Sequence, residues 1–297
     1  MRAFANAPRR RGLKPRLPVG HDGIRVCPGG FISMDIICAS ICYRGYAEDE
    51  VAATLEYAPK IGYRLMEIHG PLIWSVDAAH AFDADSMSEK IDASGMRCAG
   101  LYPPGWGGQD DADVQVRAEA IAKCVGIAEA LNATHLTTSG AQRRTEPGAL
   151  DRVIACVQEV LARIPDESRI KLTLEPHHGN VLQQPEDFQR VLDAIPDERV
   201  GICIDTGHFH TSGVDTLAAI RQFASRIYAV HLKDHLGALS VGIGRGELDL
   251  RQIIGTLQEV GYPGDLTLEL EVEDSENLPR YTEEAYFYLS GMLGLQL

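Results

Sequence analysis

From Met34 onward, short runs of β-branched and other apolar residues alternate with longer segments whose apolar residues recur every three or four positions. Short apolar runs predict buried strands, and the three-to-four periodicity predicts amphipathic helices. The predicted strands are 34–40 (MDIICAS), 63–69 (YRLMEIH), 96–102 (MRCAGLY), 134–139 (THLTTS), 170–175 (IKLTLE), 199–205 (RVGICID), 226–231 (RIYAVH) and 265–271 (DLTLELE). Each is followed by a segment that is long enough for a helix.

The segments between the predicted strands include 48–62, 114–131 and 148–164, which have helical periodicity. Eight repeats of strand and helix, with no long linker between them, predict an α/β fold with a single (β/α)8 TIM barrel as the domain at 34–297. An open, doubly wound sheet is the alternative fold. It normally has a glycine-rich turn after its first strand, whereas ICYRGY at 41–46 offers one glycine.

Residues 1–33 differ from the rest of the chain in composition. They contain seven basic residues against one acidic residue, and they show no apolar periodicity. The pattern predicts a disordered basic N-terminal extension, with Met34 as an alternative to Met1 for the translation start. A twin-arginine signal is another interpretation of PRRRGLK, but no hydrophobic stretch follows it.

The net charge of −14 leaves about −20 for the chain beyond the basic extension, which argues against nucleic acid as a partner. No apolar run approaches the roughly 18 residues that a membrane span needs. The cysteines form no C-x-x-C pair and mostly lie in apolar runs, as reduced thiols of a cytoplasmic protein do. They are Cys27, Cys38, Cys42, Cys98, Cys124, Cys156 and Cys203.

Polar residues end four predicted strands, where the active site of a TIM barrel lies. They are Glu175, Asp205, His231 and Glu269. Each one alone is explained as well by a helix cap or a salt bridge. Three carboxylates beside one imidazole at the mouth of the barrel would repel one another and would lose their hydration, so the arrangement needs a cation to compensate the charge. We therefore expect a divalent metal site, with Mn²⁺ first and Mg²⁺, Co²⁺ or Zn²⁺ as alternatives.

This ordered set resembles the xylose-isomerase-like TIM-barrel superfamily of sugar phosphate isomerases and epimerases, which includes tagatose-type epimerases, inosose dehydratase and endonuclease IV. The resemblance spans about residues 34–290. The residues that carry it are Glu175, Asp205 with His208, His231 with Lys233-Asp234, and Glu269. The resemblance implies a small carbohydrate or polyol substrate, and it assigns metal binding and proton transfer to both glutamates.

Such a site favours an isomerase or epimerase that removes a proton next to a carbonyl through a metal-bound enediolate. A lyase or dehydratase on a keto-sugar, keto-inositol or 3-oxo-glycoside is the alternative, because the same intermediate can eliminate a β-substituent. An endonuclease IV-like nuclease is more remote, because the strand ending in HLTTSG has no histidine at its carboxyl end. A sugar-binding protein without activity would not need two proton-transfer carboxylates.

Further residues are candidates for substrate binding, each with a structural role as the alternative. The loop after the fifth strand has Pro176 and His177 where many relatives have Asn and His, a departure that concerns the substrate contacts of this loop. The candidates are His208, His178, Glu67, His69, Lys233 and Trp106.

Two further segments have open interpretations. The glycines and Arg245 of VGIGRGELD at 241–249 suit either a phosphate cradle or a flexible turn. Members of the resembling superfamily are often dimers or tetramers, and the aromatic segment 281–293 could supply the interface of a homo-oligomer. Its alternative role is the eighth barrel helix.

Overall fold

The computed structural model describes residues 34–70 and 73–295, where eight parallel strands close a barrel. The predicted TIM barrel is confirmed, and the predicted extension at 1–33 lies outside the described residues. The barrel strands are β1 (Ile36–Ala39), β2 (Leu65–Ile68), β3 (Arg97–Leu101), β4 (His135–Thr138), β5 (Lys171–Leu174), β6 (Val200–Asp205), β7 (Ile227–Leu232) and β10 (Leu266–Leu268). They pair in the order β1-β10-β7-β6-β5-β4-β3-β2 around the barrel.

Helices follow the strands and cover the outside of the barrel. They are α1 (Glu50–Ile61), α2 (Val76–Ala81), α3 (Ala84–Ser94), α4 (Asp111–Ala130), α5 (Ala149–Leu161), α6 (Pro185–Ala194), α7 (Thr206–Thr211), α8 (Thr216–Gln222), α9 (Leu250–Glu259) and α10 (Leu278–Leu293). Aspartates cap several of them: Asp49 accepts from the backbone N–H of Ala52 at 2.9 Å, which satisfies a free donor in the first turn of α1. Within the described ranges, no helix is long and apolar enough to cross a membrane.

The barrel strands are buried almost throughout, and this explains their continuous apolar runs. A parallel sheet with helices outside and side chains filling its interior leaves neither face to water. The C-terminal aromatic segment is part of this cover: Ala285 and Leu289 of α10 are buried in the core, while Phe287 and Tyr288 are exposed. It forms the eighth barrel helix, which was the alternative to an oligomer interface for this segment.

The structure has a feature after β7 that the periodicity did not predict. An antiparallel hairpin of β8 (Asp234–Leu236) and β9 (Leu239–Val241) lies outside the barrel. The hairpin brings Asp234 to the loop at 241–249. Its Oδ2 accepts the backbone N–H groups of Gly244 and Gly246, both at 2.9 Å. These amides already hold a carboxylate, so the turn interpretation of this loop describes it better than the phosphate cradle.

Candidate metal and active site

The carboxyl ends of four neighbouring barrel strands bring the four predicted metal ligands together. Glu175 directly follows β5, Asp205 ends β6, His231 lies in β7, and Glu269 directly follows β10. One ligand atom of each lies within 4.8 Å of the others, and all four side chains are buried. Barrel closure therefore gathers residues that are far apart in the sequence.

Two carboxylates in this cluster have oxygens with spare acceptor capacity. Oδ2 of Asp205 and Oε2 of Glu269 are buried and accept no hydrogen bond of good geometry from the described residues, although Nζ of Lys233 lies 3.3 Å from the first. Nδ1 of His231 lies 2.5 Å from Oε1 of Glu175 and 2.8 Å from Oε2 of Glu269, the second contact without hydrogen-bond geometry. Buried carboxylates that converge in this way need a counter-charge. Three carboxylates and an imidazole nitrogen are a donor set that fits a divalent cation.

Protons balance part of the charge in the metal-free cluster. Burial raises the pKa of Asp205 to about 7, although the charge of Lys233 works against it. Burial would lower the pKa of His231, but the surrounding acidic groups hold it well above its usual value. Burial also raises the pKa of Glu269, yet Lys233 and His231 together bring it well below the usual value. Glu269 is thus ionised at neutral pH, whereas Asp205 takes up a proton as the pH falls through about 7.

Lys233 is a buried ammonium group in the wall of the site. Its Nζ lies 2.5 Å from Oε2 of Glu271, 3.2 Å from Oε1 of Glu269 and 3.3 Å from Oδ2 of Asp205. The side chain is 1% exposed, which rules out the solvated loop lysine that the sequence left open. Its charge compensates the carboxylates of Asp205, Glu269 and Glu271.

Asp205 caps α7, and His208 lies in the first turn of that helix. Oδ1 of Asp205 accepts the backbone N–H of His208 at 2.7 Å. Burial, and then the charge of Lys233, lower the pKa of His208 well below its usual value. Nζ of Lys233 lies 3.2 Å from Nε2 of His208, and an ammonium group can only donate. Neutral His208 therefore carries its proton on Nδ1, which has no partner among the described residues.

The loop after β5 turns one histidine toward the cavity and the other away from it. His177 lines the cavity, and its ring lies 3.9 Å from that of His208 between centroids. Both histidines are exposed and line a neighbouring surface depression, but His178 does not line the cavity, and its Nδ1 lies 3.3 Å from Oγ of Ser212. The expected role of His178 in substrate binding therefore fits His177 better in geometry.

Two other expected substrate contacts lie away from the cavity. Trp106 is fully buried, and its Nε1 donates to the backbone oxygen of Thr173 at 3.2 Å, so it has the packing role that was its alternative. Glu67 is fully buried beneath the cavity floor and contacts imidazoles, His69 among them. His69 itself lines the cavity as expected. A strand end alone does not tell whether a side chain enters the cavity or the barrel interior.

The cavity over the cluster has a volume of about 340 Å³. Its walls include side chains that the sequence did not single out: Tyr102, Glu271, Arg44 and Trp74. The hydroxyl of Tyr102 donates to Oε2 of Glu175. Tyr102 ends a predicted strand and Glu271 lies two residues beyond Glu269, so the strand-end rule could have found both. Arg44 and Trp74 lie outside the strands, where Arg44 stacks 3.9 Å over the Trp74 ring.

Curated relatives resemble part of the chain. An inosose dehydratase of Clostridium tetani is 27% identical over 150 residues, which cover 43% of this chain and 50% of that protein. The rhizopine catabolism protein MocC of Rhizobium meliloti is 30% identical over 161 residues, which cover 44% and 49%. The chain thus spans about half the length of the curated relatives that it matches.

Solved structures share the fold over most of their length. The IolI protein with a bound zinc atom has a TM-score of 0.72 at 16% identity. The matched region covers 88% of this chain and 98% of the IolI chain. The E. coli 3-keto-D-glucoside 4-epimerase YcjR has a TM-score of 0.72 at 16% identity, covering 87% and 99%. The Methylomonas sp. D-allulose 3-epimerase in complex with D-allulose has a TM-score of 0.71 at 15% identity, covering 88% and 97%. At these identities the likeness concerns the fold.

The family comparison covers the part of the chain that forms the site. The family described as xylose isomerase-like TIM barrel matches residues 55–289, which include all four candidate ligands. This match extends over more than half of the chain and agrees with the barrel topology and with the resemblance at the strand ends. The chain belongs to the xylose isomerase-like TIM barrel family.

Proposed function

We propose that the protein is a divalent-metal-dependent isomerase or epimerase of a small keto-sugar or keto-polyol. The observation that carries the proposal is the pair of buried carboxylates, Glu175 and Glu269, on either side of Nδ1 of His231 and in the wall of one cavity. Two carboxylates at one metal cluster are what proton removal and proton return to a carbon require.

The residues that would hold the cation are Glu175, Asp205, His231 and Glu269. A divalent cation, when bound, polarises a ligating carbonyl oxygen and so acidifies the neighbouring C–H bond. We favour Mn²⁺, with Mg²⁺, Co²⁺ and Zn²⁺ as alternatives, because oxygen ligands outnumber the single nitrogen. Metal analysis of the purified protein identifies the ion.

We assign Glu175 and Glu269 as the proton-transfer residues. Glu175 is oriented by the hydroxyl of Tyr102, and Glu269 is kept ionised by Lys233 and His231. Glu269, as a carboxylate, removes a proton on one face of the substrate, and Glu175 in its carboxylic acid form supplies one on the other, with the two roles exchanged in the reverse reaction. Return to the same carbon inverts it and gives an epimer, whereas return to the adjacent carbon gives an aldose-ketose isomer.

Other groups in the cavity wall suit the hydroxyl groups of such a substrate. The ring of His208 lines the cavity, and the ammonium group of Lys233 lies in its wall. His69 and His177 complete the polar wall. We propose these four as the substrate-binding residues, within a barrel domain at 34–297 that works as a cytoplasmic enzyme.

The test uses the metal-loaded protein in D₂O with a panel of ketoses, keto-inositols and 3-oxo-glycosides, and a chelated sample as the control. We expect metal-dependent deuterium uptake at the carbon next to the carbonyl, in an isomer that NMR and mass spectrometry identify. Absence of exchange with every substrate and every metal would contradict the proposal.

A lyase or dehydratase acting on the same substrate class is the second candidate. It is favoured by the inosose dehydratases among the curated relatives. It also agrees with the ammonium group of Lys233 in the cavity wall, because a proton donor there can assist a departing hydroxyl group. Loss of water or of an aglycone in the D₂O experiment would establish this reaction instead.

A further inference from the structure

Glu67 is a carboxylate in the interior of the barrel with no exposed surface, yet it contacts several hydrogen-bond donors. Its Oε1 lies 3.0 Å from Nε2 of His231 and 3.1 Å from Nε2 of His69. Its Oε2 lies 3.2 Å from Nε2 of His135 and accepts the hydroxyl of Thr267 at 3.1 Å. Three imidazoles therefore present the same ring nitrogen to one buried side chain.

The local backbone makes room for this arrangement. The pairing of β2 with β3 changes register between Met66 and Glu67, and such irregularities redirect side chains near active sites. Across the strand pair, a Cβ on Gly100 would lie 2.3 Å from Nε2 of His135. A side chain at position 100 would push the imidazole away from Glu67.

An ionised carboxylate accepts hydrogen bonds and donates none, so each nitrogen that faces it must carry a proton. Three ring nitrogens and one hydroxyl group lie within 3.2 Å of the two oxygens of Glu67, so both oxygens act as acceptors. A neutral ring that donates from Nε2 has its lone pair on Nδ1, and the hydroxyl of Thr134 lies 3.0 Å from Nδ1 of His135, where it can donate.

We propose that Glu67 is a positioning residue that sets the tautomers of three histidines, so that His231 offers Nδ1 to the metal and His69 offers Nδ1 to the substrate as a hydrogen-bond acceptor. Nδ1 of His231 is the nitrogen beside Glu175 and Glu269. His69 lines the cavity, where an acceptor suits a sugar hydroxyl group. His135 anchors the other oxygen of Glu67.

The arrangement connects the candidate metal site to the cavity wall through the carboxylate of Glu67. Metal-bound histidines usually donate their second N–H to a carboxylate or carbonyl, and loss of that partner typically costs about 10- to 100-fold in metal affinity or activity. Here the same carboxylate also holds a histidine of the substrate wall. The part that concerns His231 rests on the proposed metal site, whereas the part that concerns His69 and His135 does not.

The first test is NMR of the full-length protein with ¹⁵N-labelled histidine and Zn²⁺ bound, since Zn²⁺ is diamagnetic. Long-range ¹H–¹⁵N correlations distinguish the tautomers, and single His→Gln variants assign the rings. We expect protonated Nε2 and unprotonated Nδ1 in His69 and His135, and Zn²⁺ on Nδ1 of His231. Protonated Nδ1 in His69, or Zn²⁺ on Nε2 of His231, would overturn the proposal.

The second test compares Glu67→Gln with Thr267→Val, which removes a different hydrogen bond from the same carboxylate. We expect Glu67→Gln to weaken Zn²⁺ binding about 10- to 100-fold, measured by competition with a chelating dye, and to change the tautomer of His69 or His135. Thr267→Val should keep the tautomers, because the acceptor remains. Wild-type tautomers and affinity in Glu67→Gln would count against the proposal.

These outcomes are separate from those of the reaction. Wild-type NMR needs no variant and no substrate, so a Glu67→Gln chain that does not fold leaves the proposal testable. The predicted tautomers without any deuterium exchange would refute the proposed reaction alone. Deuterium exchange with the opposite tautomers would refute the role of Glu67 alone.

Discussion

Glu175 and Glu269, the two candidate proton-transfer residues, have different neighbours. Tyr102 donates a hydrogen bond to Glu175, whereas Glu269 lies 3.2 Å from Nζ of Lys233 and keeps a buried oxygen without a hydrogen bond. A hydroxyl donor orients a carboxylate without placing a charge beside it, while a buried ammonium group stabilises the charged form. The two residues are thus suited to different halves of one proton transfer.

We expect Glu269→Gln to lower metal-dependent deuterium exchange by roughly 10²- to 10⁴-fold, the usual contribution of a general acid or base. The amide has nearly the same shape but cannot take up the proton, so the fold should be retained. Exchange is measured by NMR, and the fold by circular dichroism.

Glu273→Gln is the matched control, since Glu273 lies four residues further along the chain and is exposed outside the cavity. It should exchange like wild type. Full activity in the Glu269→Gln variant would contradict the assignment of Glu269.

Metal binding should depend on pH through Asp205. Its pKa is about 7 in the metal-free protein, and a carboxyl group must be ionised to bind a cation. Below about pH 7 each binding event therefore releases one more proton than above it, and affinity falls faster as the pH decreases. Titration calorimetry in buffers of different ionisation enthalpy, on both sides of pH 7, counts these protons. Equal proton release on both sides would contradict this prediction.

At the scale of elements, the loop between β5 and α6 presents two adjacent histidines to different surroundings. His177 stacks on His208, and His178 contacts Ser212 outside the cavity. We expect His177→Ala to raise KM by roughly two- to tenfold, as loss of an aromatic contact usually does. His178→Ala is the control and should leave KM unchanged. Equal effects of the two substitutions on KM would show that the loop does not separate their roles.

The hairpin after β7 is an element whose role follows from its contacts. Asp234 begins it and holds the loop at 241–249 by three backbone N–H groups, from Gly244, Gly246 and Leu248. A buried carboxylate that accepts several amides is a strong anchor, because hydrogen bonds to a charged acceptor are roughly twice as strong as those between neutral groups. The loop that resembled a phosphate cradle is therefore a structural support beside the site.

At the scale of the whole molecule, a metal ion would join four strands that span half of the barrel. A ligand that binds only the folded state stabilises it by mass action, by about 2.7 kcal/mol at 100 times its Kd. Chelation should therefore lower the midpoint of thermal unfolding, and Mn²⁺ or another divalent ion should restore it.

The double variant Asp205→Asn, His231→Gln is the control for this effect, since it lacks two ligands and should show little response to the ion. A midpoint that does not respond to chelator or to any of the four candidate metals in the wild-type protein would contradict the metal site.

Periodicity alone was enough to predict the barrel and the strands that compose it, because strands covered on both faces are apolar throughout. The hairpin of β8 and β9 escaped prediction, since each strand has three residues and the pair is partly exposed, so neither forms an apolar run. The four candidate ligands were found because each ends an apolar run, and the carboxyl ends of barrel strands meet at one mouth.

The sequence by itself determined the fold, the family and which residues meet at the mouth, because strand periodicity and strand ends are local properties. Only the tertiary structure decided where each side chain points and how deeply it is buried. Glu67 lies under the cavity, Trp106 lies in the core, and His177 rather than His178 faces His208. Whether a side chain enters the cavity, the interior or the solvent depends on the backbone register and on neighbours from distant strands, which no local pattern contains.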